Sequence, residues 1–185
     1  MFIQTEATPN PATLKFLPGR TVLADGTADY RSPEEAALSP LAQALFGIEG
    51  VTGVFLGSDF VSVSKAEGHE WQHMKPAILG AIMEHFMSGA ETVARPAAND
   101  AAGVNYDAED EETVQTIKEL LDTRVRPAVA QDGGDITFHG FRDGVVFLSM
   151  RGACAGCPSS TATLQYGIEN LLRHFCPDVR EVQAV

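Results

Sequence analysis

The sequence predicts an α+β protein built from two small α+β domains that are joined by a flexible acidic linker. In both halves of the 185 residues, short strand-like runs alternate with helix-like apolar stripes. The stretch between the halves has no apolar periodicity, and its second part is acidic, so it cannot bury enough surface to fold. We therefore expect a first domain over 1–94, a linker over 95–110 and a second domain over 111–185.

In the first domain, the pattern predicts a mostly antiparallel sheet with two helices. The strand-like runs are "MFIQTEA", "ATLKFLP", "VTGVFLG" and "FVSVSKA". Ser39 and Pro40 are good first residues for a short helix, as N-cap and first helical residue. A longer helix is expected from about Lys75 to Met87, ended by Gly89. Its apolar stripe predicts the buried face and consists of Ile78, Leu79, Ile82, Met83 and Phe86.

The second domain is expected to run helix, strand, strand, helix, strand. Its first helix begins at the acidic run "EDEE", which suits a helix N-terminus, and Pro127 is expected to kink or end it. The turn "QDGGD" follows, and then two strands form a hairpin around "RDG". After the cysteine stretch comes a helix that Pro177 stops. Its apolar stripe consists of Leu164, Ile168, Leu171, Leu172 and Phe175.

Composition excludes some classes of function. With 25 acidic and 13 basic side chains, the net charge is −12, and no Lys/Arg cluster is present that would bind nucleic acid. No apolar run reaches the length of a membrane span. The N-terminal residues resemble neither a secretory signal nor a transit peptide. We therefore expect a cytoplasmic protein, in which a cysteine pair is metal-binding or redox-active rather than a structural disulfide.

Two of the three cysteines are three residues apart in "MRGACAGCPSS". Cys154 and Cys157 fall between the end of a predicted strand and the start of a helix whose first residue is Pro158. The free N–H groups of a helix start favour negative charge, so we expect a lowered pKa for Cys157 at least. A thiolate is the form that binds metal or attacks a disulfide.

Two cysteines do not complete a metal site, since structural zinc and iron–sulfur clusters generally have four ligands. Cys176 is expected at the far end of the following helix, too distant to join, and is interpreted as a small buried thiol. Two chains that each contribute Cys154 and Cys157 would make an exposed four-thiolate site on a two-fold axis. A dithiol oxidoreductase and a Cys₄ zinc site remain as alternatives.

Other polar features have structural interpretations. Gly133 and Gly134 are expected to allow the "QDGGD" turn, with Asp132 or Asp135 as its cap. The five histidines show no ligand spacing and are expected at the surface. Trp71 is either a core residue or an anchor for a partner.

The cysteine segment "RPAVAQDGGDITFHGFRDGVVFLSMRGACAGCPSSTATLQYGIENLL" resembles the module that the Nfu family of iron–sulfur cluster carriers shares with the C-terminal domain of the scaffold NifU. The first half resembles the Nfu N-terminal domain in "FIQTEATPNPATLKFLPG", "SPLAQALFGIEGVTGVFLGSDFVSVSK" and "MKPAILGAIMEHF". Only the linker is outside the resemblance.

The resemblance implies iron–sulfur cluster binding, with a 4Fe–4S cluster that bridges a homodimer through Cys154 and Cys157. It also implies that an upstream cluster-assembly scaffold supplies the cluster and that apo iron–sulfur proteins receive it. Such a protein is a carrier and not an enzyme. Eukaryotic family members have a mitochondrial presequence, so the resemblance implies the bacterial cytoplasm, or the mitochondrial matrix for a processed form.

Overall fold

A computed structural model describes residues 1–93, 105–155 and 158–185, the last range without the side chains of 158–160. The chain divides into two compact units, Met1–Asn99 and Asp100–Val185, which we call unit 1 and unit 2. Each contains a sheet and helices, which confirms the predicted α+β class. The end of the first domain and the start of the linker stay predictions, because residues 94–104 lie outside the described residues.

Unit 1 contains a five-stranded sheet in which every pair of neighbours is antiparallel, as expected. The strand order is β1-β2-β5-β4-β3. The strands are β1 (Gln4–Ala7), β2 (Thr13–Leu17), β3 (Ala28–Tyr30), β4 (Val51–Leu56) and β5 (Val61–Lys65). The short edge strand β3 lies in a segment where the sequence pattern predicted only a loop.

The two helices of unit 1 are α1 (Pro40–Phe46) and α2 (Trp71–Ser88), and a 3₁₀ turn (Glu35–Leu38) precedes α1. Gly89 ends α2 with a left-handed backbone, φ +70°, as predicted. The predicted stripe on α2 faces the core, although only Ile78 and Ile82 are fully buried. His85 on the same helix is 7% exposed, so the expectation that all histidines lie at the surface is wrong for this residue.

Trp71 begins α2 earlier than the sequence pattern indicated. It packs at the margin of the unit 1 core, and its indole Nε1 donates a hydrogen bond to the carbonyl oxygen of Pro11, 3.2 Å away. The ring is partly buried. The core interpretation of this tryptophan is therefore the one that its contacts support.

Unit 2 places its helices and strands in the predicted order. A 3₁₀ turn (Ala108–Asp110) leads into α3 (Glu111–Leu120), a turn of π-helix (Leu121–Val125) and α4 (Arg126–Gln131). The rest consists of β6 (Gly134–Arg142), β7 (Val145–Gly152), α5 (Pro158–Phe175) and β8 (Glu181–Ala184). β6 and β7 are antiparallel, and β8 adds to β7 in parallel. Asp143 and Gly144, both with positive φ, form the predicted hairpin turn.

The predicted linker is too long at its C-terminal end. The N–H of Phe141 on β6 donates to the carbonyl oxygen of Asn105 at 3.0 Å, and Asn105 forms a β-bridge with Gly140. The ring of Tyr106 packs against the unit 2 core. Residues 105–110 therefore belong to the fold of unit 2. The sequence did not predict these contacts, because the segment is polar and acidic.

Pro127 does not end the first helix of unit 2. After α3 the chain forms the π-turn Leu121–Val125, and from Arg126 it continues as α4. Proline lacks an N–H group and its ring clashes with the carbonyl four residues earlier, so a local widening of the helix accommodates it. The hydroxyl of Thr123 in this turn donates to the carbonyl oxygen of Glu119 at 2.6 Å.

The core of unit 2 lies between the helices and the three-stranded sheet. Ile168 and Leu172 of α5 are buried there, as predicted. Phe175, from the same predicted stripe, is 46% exposed, and the guanidinium of Arg124 lies 5.2 Å from its ring centroid. Its position in the last turn of α5 carries it past the edge of the core.

The N-cap of α1 provides a test of unit 1. The fully buried Ser39 hydroxyl accepts from the N–H of Ala42 at 3.2 Å and donates to the carbonyl oxygen of Thr92 at 2.7 Å. Ser39→Ala should lower the free energy of unfolding of unit 1 by about 1–2 kcal/mol, because it removes the N-cap and the donor to the carbonyl oxygen of Thr92. Urea unfolding followed by the fluorescence of Trp71, the sole tryptophan, measures this change.

Ser58→Ala is the matched control, since the Ser58 hydroxyl is exposed and bonds only its neighbour Asp59, at 3.3 Å. It should shift the free energy of unfolding by less than about 0.5 kcal/mol. Equal effects of the two substitutions would contradict the role given to Ser39.

Candidate functional site

The cysteine segment lies at the turn between β7 and α5. β7 ends at Gly152, whose φ of +64° turns the chain away from the sheet. Cys154 follows in this turn, and α5 begins at Pro158, the position predicted for it. Cys157, the second predicted site residue, lies outside the described residues, so its place as a ligand and its lowered pKa stay predictions.

Three hydrogen bonds hold the turn in place. The N–H of Ala153 donates to the carbonyl oxygen of Gly133 at 3.2 Å, which joins the turn to the start of β6. The N–H of Ala155 donates to the carbonyl oxygen of Gly152 at 3.1 Å. The hydroxyl of Thr161 on α5 donates to the carbonyl oxygen of Cys154 at 3.1 Å. The backbone around Cys154 is thus fixed from the sheet and from the helix.

Cys154 is buried, with 6% of its surface exposed, and packs in the core of unit 2. The sequence predicted an exposed pair of thiols, and for this cysteine the structure differs. The reason is the path of the chain after β7, because the turn folds back toward β6 instead of projecting outward. The Cys154 thiol therefore lies in the core of unit 2 and not at its surface.

Gly134 makes this packing of Cys154 possible. A Cβ atom at position 134 would lie 2.5 Å from the Cys154 Sγ and 2.8 Å from the carbonyl oxygen of Arg151. Any side chain larger than hydrogen would therefore displace the sulfur or the backbone. Of the two glycines assigned to the turn by sequence, Gly133 alone has a positive φ, +78°. Gly134 is required for close approach, a role that only the folded geometry reveals.

Burial, together with the negative charges of Asp132 and Asp135, raises the pKa of the Cys154 thiol to about 12. At neutral pH the thiol of the metal-free chain is therefore protonated. A metal that binds this sulfur must displace the proton, so binding is favoured as pH rises and opposed as pH falls.

Asp135, one of the two residues predicted as a cap of the turn, forms a buried ion pair. Its carboxylate is held by Arg126 through two hydrogen bonds of 2.9 Å, from Nε and Nη2, and it also accepts from the N–H of Ile136 at 2.8 Å. The residue is 3% exposed. Such bidentate pairs fix geometry as well as charge. This pair fixes the start of β6 against α4, and so fixes Gly134 beneath Cys154.

Cys176 lies outside this arrangement, as predicted. It is buried just after α5, a helix of 18 residues that is therefore about 27 Å long. Burial, together with the charge of Asp178, raises the pKa of its thiol. Within residues 1–93, 105–155 and 158–185, no group of three or more His, Cys, Asp or Glu side chains is placed to hold a metal ion.

No helix in the described ranges is both long enough and apolar enough to cross a membrane. The fold and the cysteine turn together define a two-unit protein with one cysteine pair and no complete ligand set among its described residues. This class contains metal carriers as well as dithiol proteins.

Comparison with known protein families shows which family the chain belongs to. Residues 3–89 match the family described as "Scaffold protein Nfu/NifU N terminal", and residues 117–183 match the "NifU-like domain". The protein called "NFU1 iron-sulfur cluster scaffold homolog, mitochondrial" is 49% identical in Homo sapiens over 186 residues, covering 100% of this chain and 72% of that protein. The chain belongs to the Nfu family of iron–sulfur cluster scaffold proteins.

The relative of the same name in Drosophila sechellia is 52% identical over 190 residues. All of this chain is covered, and it spans 65% of the length of that relative. Among solved structures, a NifU-like protein from Saccharomyces cerevisiae, determined in solution, is 25% identical with a TM-score of 0.47, covering 51% of this chain and 86% of that one.

The contact between Gly134 and Cys154 can be tested by Gly134→Ala. We expect the free energy of unfolding of unit 2 to fall by about 1–3 kcal/mol, because the added methyl overlaps sulfur and backbone. The Cys154 thiol, no longer held in the core, should react with iodoacetamide at pH 8 at least about tenfold faster than in the unsubstituted chain. Because Cys154 and Cys157 lie on one tryptic peptide, fragment-ion mass spectrometry assigns the alkylation to Cys154. Circular dichroism follows unfolding.

Gly167→Ala is the control, because a Cβ at position 167 on α5 meets no atom within 4 Å. It should leave the reactivity of Cys154 unchanged and alter the free energy of unfolding by at most about 1 kcal/mol, in the stabilising direction. Unchanged alkylation of Cys154 in Gly134→Ala would show that the glycine does not hold this thiol in place.

Proposed function

We propose that this protein is an iron–sulfur cluster carrier that holds a 4Fe–4S cluster between two copies of the chain and passes it to apo-proteins. The observation that carries the proposal is the incomplete ligand set. The chain offers the pair Cys154 and Cys157, and within its described residues no group of three or more His, Cys, Asp or Glu side chains is placed to hold a metal ion. Four thiolates therefore require a second chain, and two-fold symmetry supplies it.

The chemistry of the donors fits iron–sulfur cargo. Soft thiolates are the ligands that iron–sulfur clusters take in proteins. The burial and raised pKa of Cys154 add a condition: the turn after Gly152 must open, and the thiol must lose its proton, before this sulfur can bind. A ligand that returns to the protein core when the cargo leaves would favour release over storage.

Transfer on this proposal is ligand exchange, in which thiolates of a recipient replace Cys154 and Cys157 in turn. No substrate is turned over, so the protein is proposed as a carrier rather than an enzyme. The supplier is an upstream assembly scaffold, and the recipients are apo iron–sulfur proteins. The names of the relatives, which describe iron–sulfur cluster scaffolds, support this role.

The dithiol oxidoreductase alternative is disfavoured by the state of Cys154. In such enzymes an accessible thiol with a lowered pKa attacks the disulfide. Cys154 is buried and its pKa is raised to about 12, so in this position it is not suited to be the attacking thiol. A Cys₄ zinc site across a dimer would have the same symmetry as a bridging cluster. Analysis of the bound iron and zinc distinguishes these two alternatives.

Unit 1 is proposed as the part that recognises partners or restrains unit 2, since the cysteine pair belongs to unit 2. A tether between the units would keep unit 1 at high local concentration near the cargo. The relatives are named mitochondrial. This supports the mitochondrial matrix as the proposed location, with the bacterial cytoplasm as the alternative if the chain is bacterial.

The ligand assignment predicts a contrast among the three cysteines. Cys154→Ala and Cys157→Ala should each abolish retention of iron and sulfide after anaerobic reconstitution, because each removes two of the four thiolates of a symmetric site. Cys176→Ala should retain both, since Cys176 lies beyond the far end of α5. Iron, zinc and acid-labile sulfide analysis, with the visible absorption spectrum, measures the outcome.

Circular dichroism on the three variants separates loss of ligand from loss of fold. Full retention of iron and sulfide in folded Cys154→Ala or Cys157→Ala would refute the assignment. A colourless protein that binds zinc alone would favour the structural-zinc alternative.

A further inference from the structure

The sequence around the cysteine pair is free of charged side chains. Residues 152–168 contain no Asp, Glu, Lys or Arg, and this is the longest such run in the chain. It stands in a protein with a net charge of −12. Two copies of so acidic a chain repel each other over most of their surfaces. They approach with least electrostatic cost where neither surface is charged.

Part of this uncharged run forms the outer face of α5. Ile168 faces the core, while Ala162, Thr163, Tyr166 and Gly167 are exposed on the opposite side of the helix. Tyr166 is 70% exposed, the largest apolar side chain on this face. A Cβ at position 167 would meet no atom within 4 Å, so nothing in the described structure covers the surface beside the ring.

This face lies near the start of α5, the helix that directly follows the cysteine segment in sequence. Tyr166 comes eight residues after Pro158, which places its backbone about 12 Å along the helix from its first residue. Two chains whose cysteines bind one cluster must bring the first turns of their α5 helices together. In that arrangement, the surface formed by the first two or three turns of α5 is available for contact between the two copies.

We propose that the uncharged outer face of α5 around Tyr166 is the surface against which a second copy of the chain packs when the cluster is shared. This inference rests on the proposed function and names the protein contact that accompanies the four thiolates. An exposed aromatic ring surrounded by small residues is suited to this task, because aromatic side chains are enriched at interfaces and small neighbours admit close approach. The contact stabilises the loaded dimer beyond the metal–thiolate bonds.

The test compares the full chain with Tyr166→Ala and Tyr166→Glu after anaerobic reconstitution with iron and sulfide. Sedimentation analysis over a concentration series gives the dimer dissociation constant of each loaded protein. We expect the dimer dissociation constant of loaded Tyr166→Ala to increase at least tenfold. The increase should be larger for Tyr166→Glu, which places two like charges at the interface, and salt should reduce that additional increase.

Phe175→Ala is the matched control, since Phe175 is also a partly exposed aromatic residue on α5 but lies at the far end from the cysteines. The dimer dissociation constant of loaded Phe175→Ala should stay within twofold of that of the unsubstituted chain. Unchanged constants for both Tyr166 variants, or equal weakening by Phe175→Ala, would overturn the inference while leaving the carrier function intact. Failure of the unsubstituted chain to form a cluster-loaded dimer would instead overturn the proposed function.

Discussion

The close packing of Gly134 against Cys154 is the contact on which the site depends. Because a Cβ at position 134 would come within 2.5 Å of the sulfur, only glycine allows the turn after β7 to lie on the start of β6. The ion pair of Asp135 with Arg126 then fixes that start against α4. Cys154 is thus part of the core of unit 2.

On the proposed function, Cys154 must leave its buried position before it binds the cluster, because its thiol lies in the core with a pKa raised to about 12. Part of the binding free energy of the cluster would then be used to open the turn and to remove the proton. On that proposal, this cost weakens retention of the cluster and suits transfer to a recipient better than storage. On the proposed function, a second acidic chain meets least repulsion at the run 152–168, which contains no charged side chain.

Much of the fold could be predicted from local sequence rules. Ser39 with Pro40, Gly89, the Asp143–Gly144 turn and Pro158 each mark a boundary through their own backbone preferences, and the structure confirms them. The failures have a common cause, since they depend on contacts distant in sequence. β3 exists because β4 pairs with it, and residues 105–110 are ordered by the edge of β6. At the site, spacing identified the cysteine pair, but the burial of Cys154 and the role of Gly134 follow only from the folded packing.

The central claim is that one cluster is held by two chains. Anaerobic native mass spectrometry of the reconstituted full chain measures this directly, because it reports protein and cargo in the same ion. The account predicts a principal loaded species whose mass equals two chains plus one 4Fe–4S cluster, alongside metal-free protein that carries no iron. A loaded species of one chain with a whole cluster, or a dimer that contains zinc and no sulfide, would contradict it.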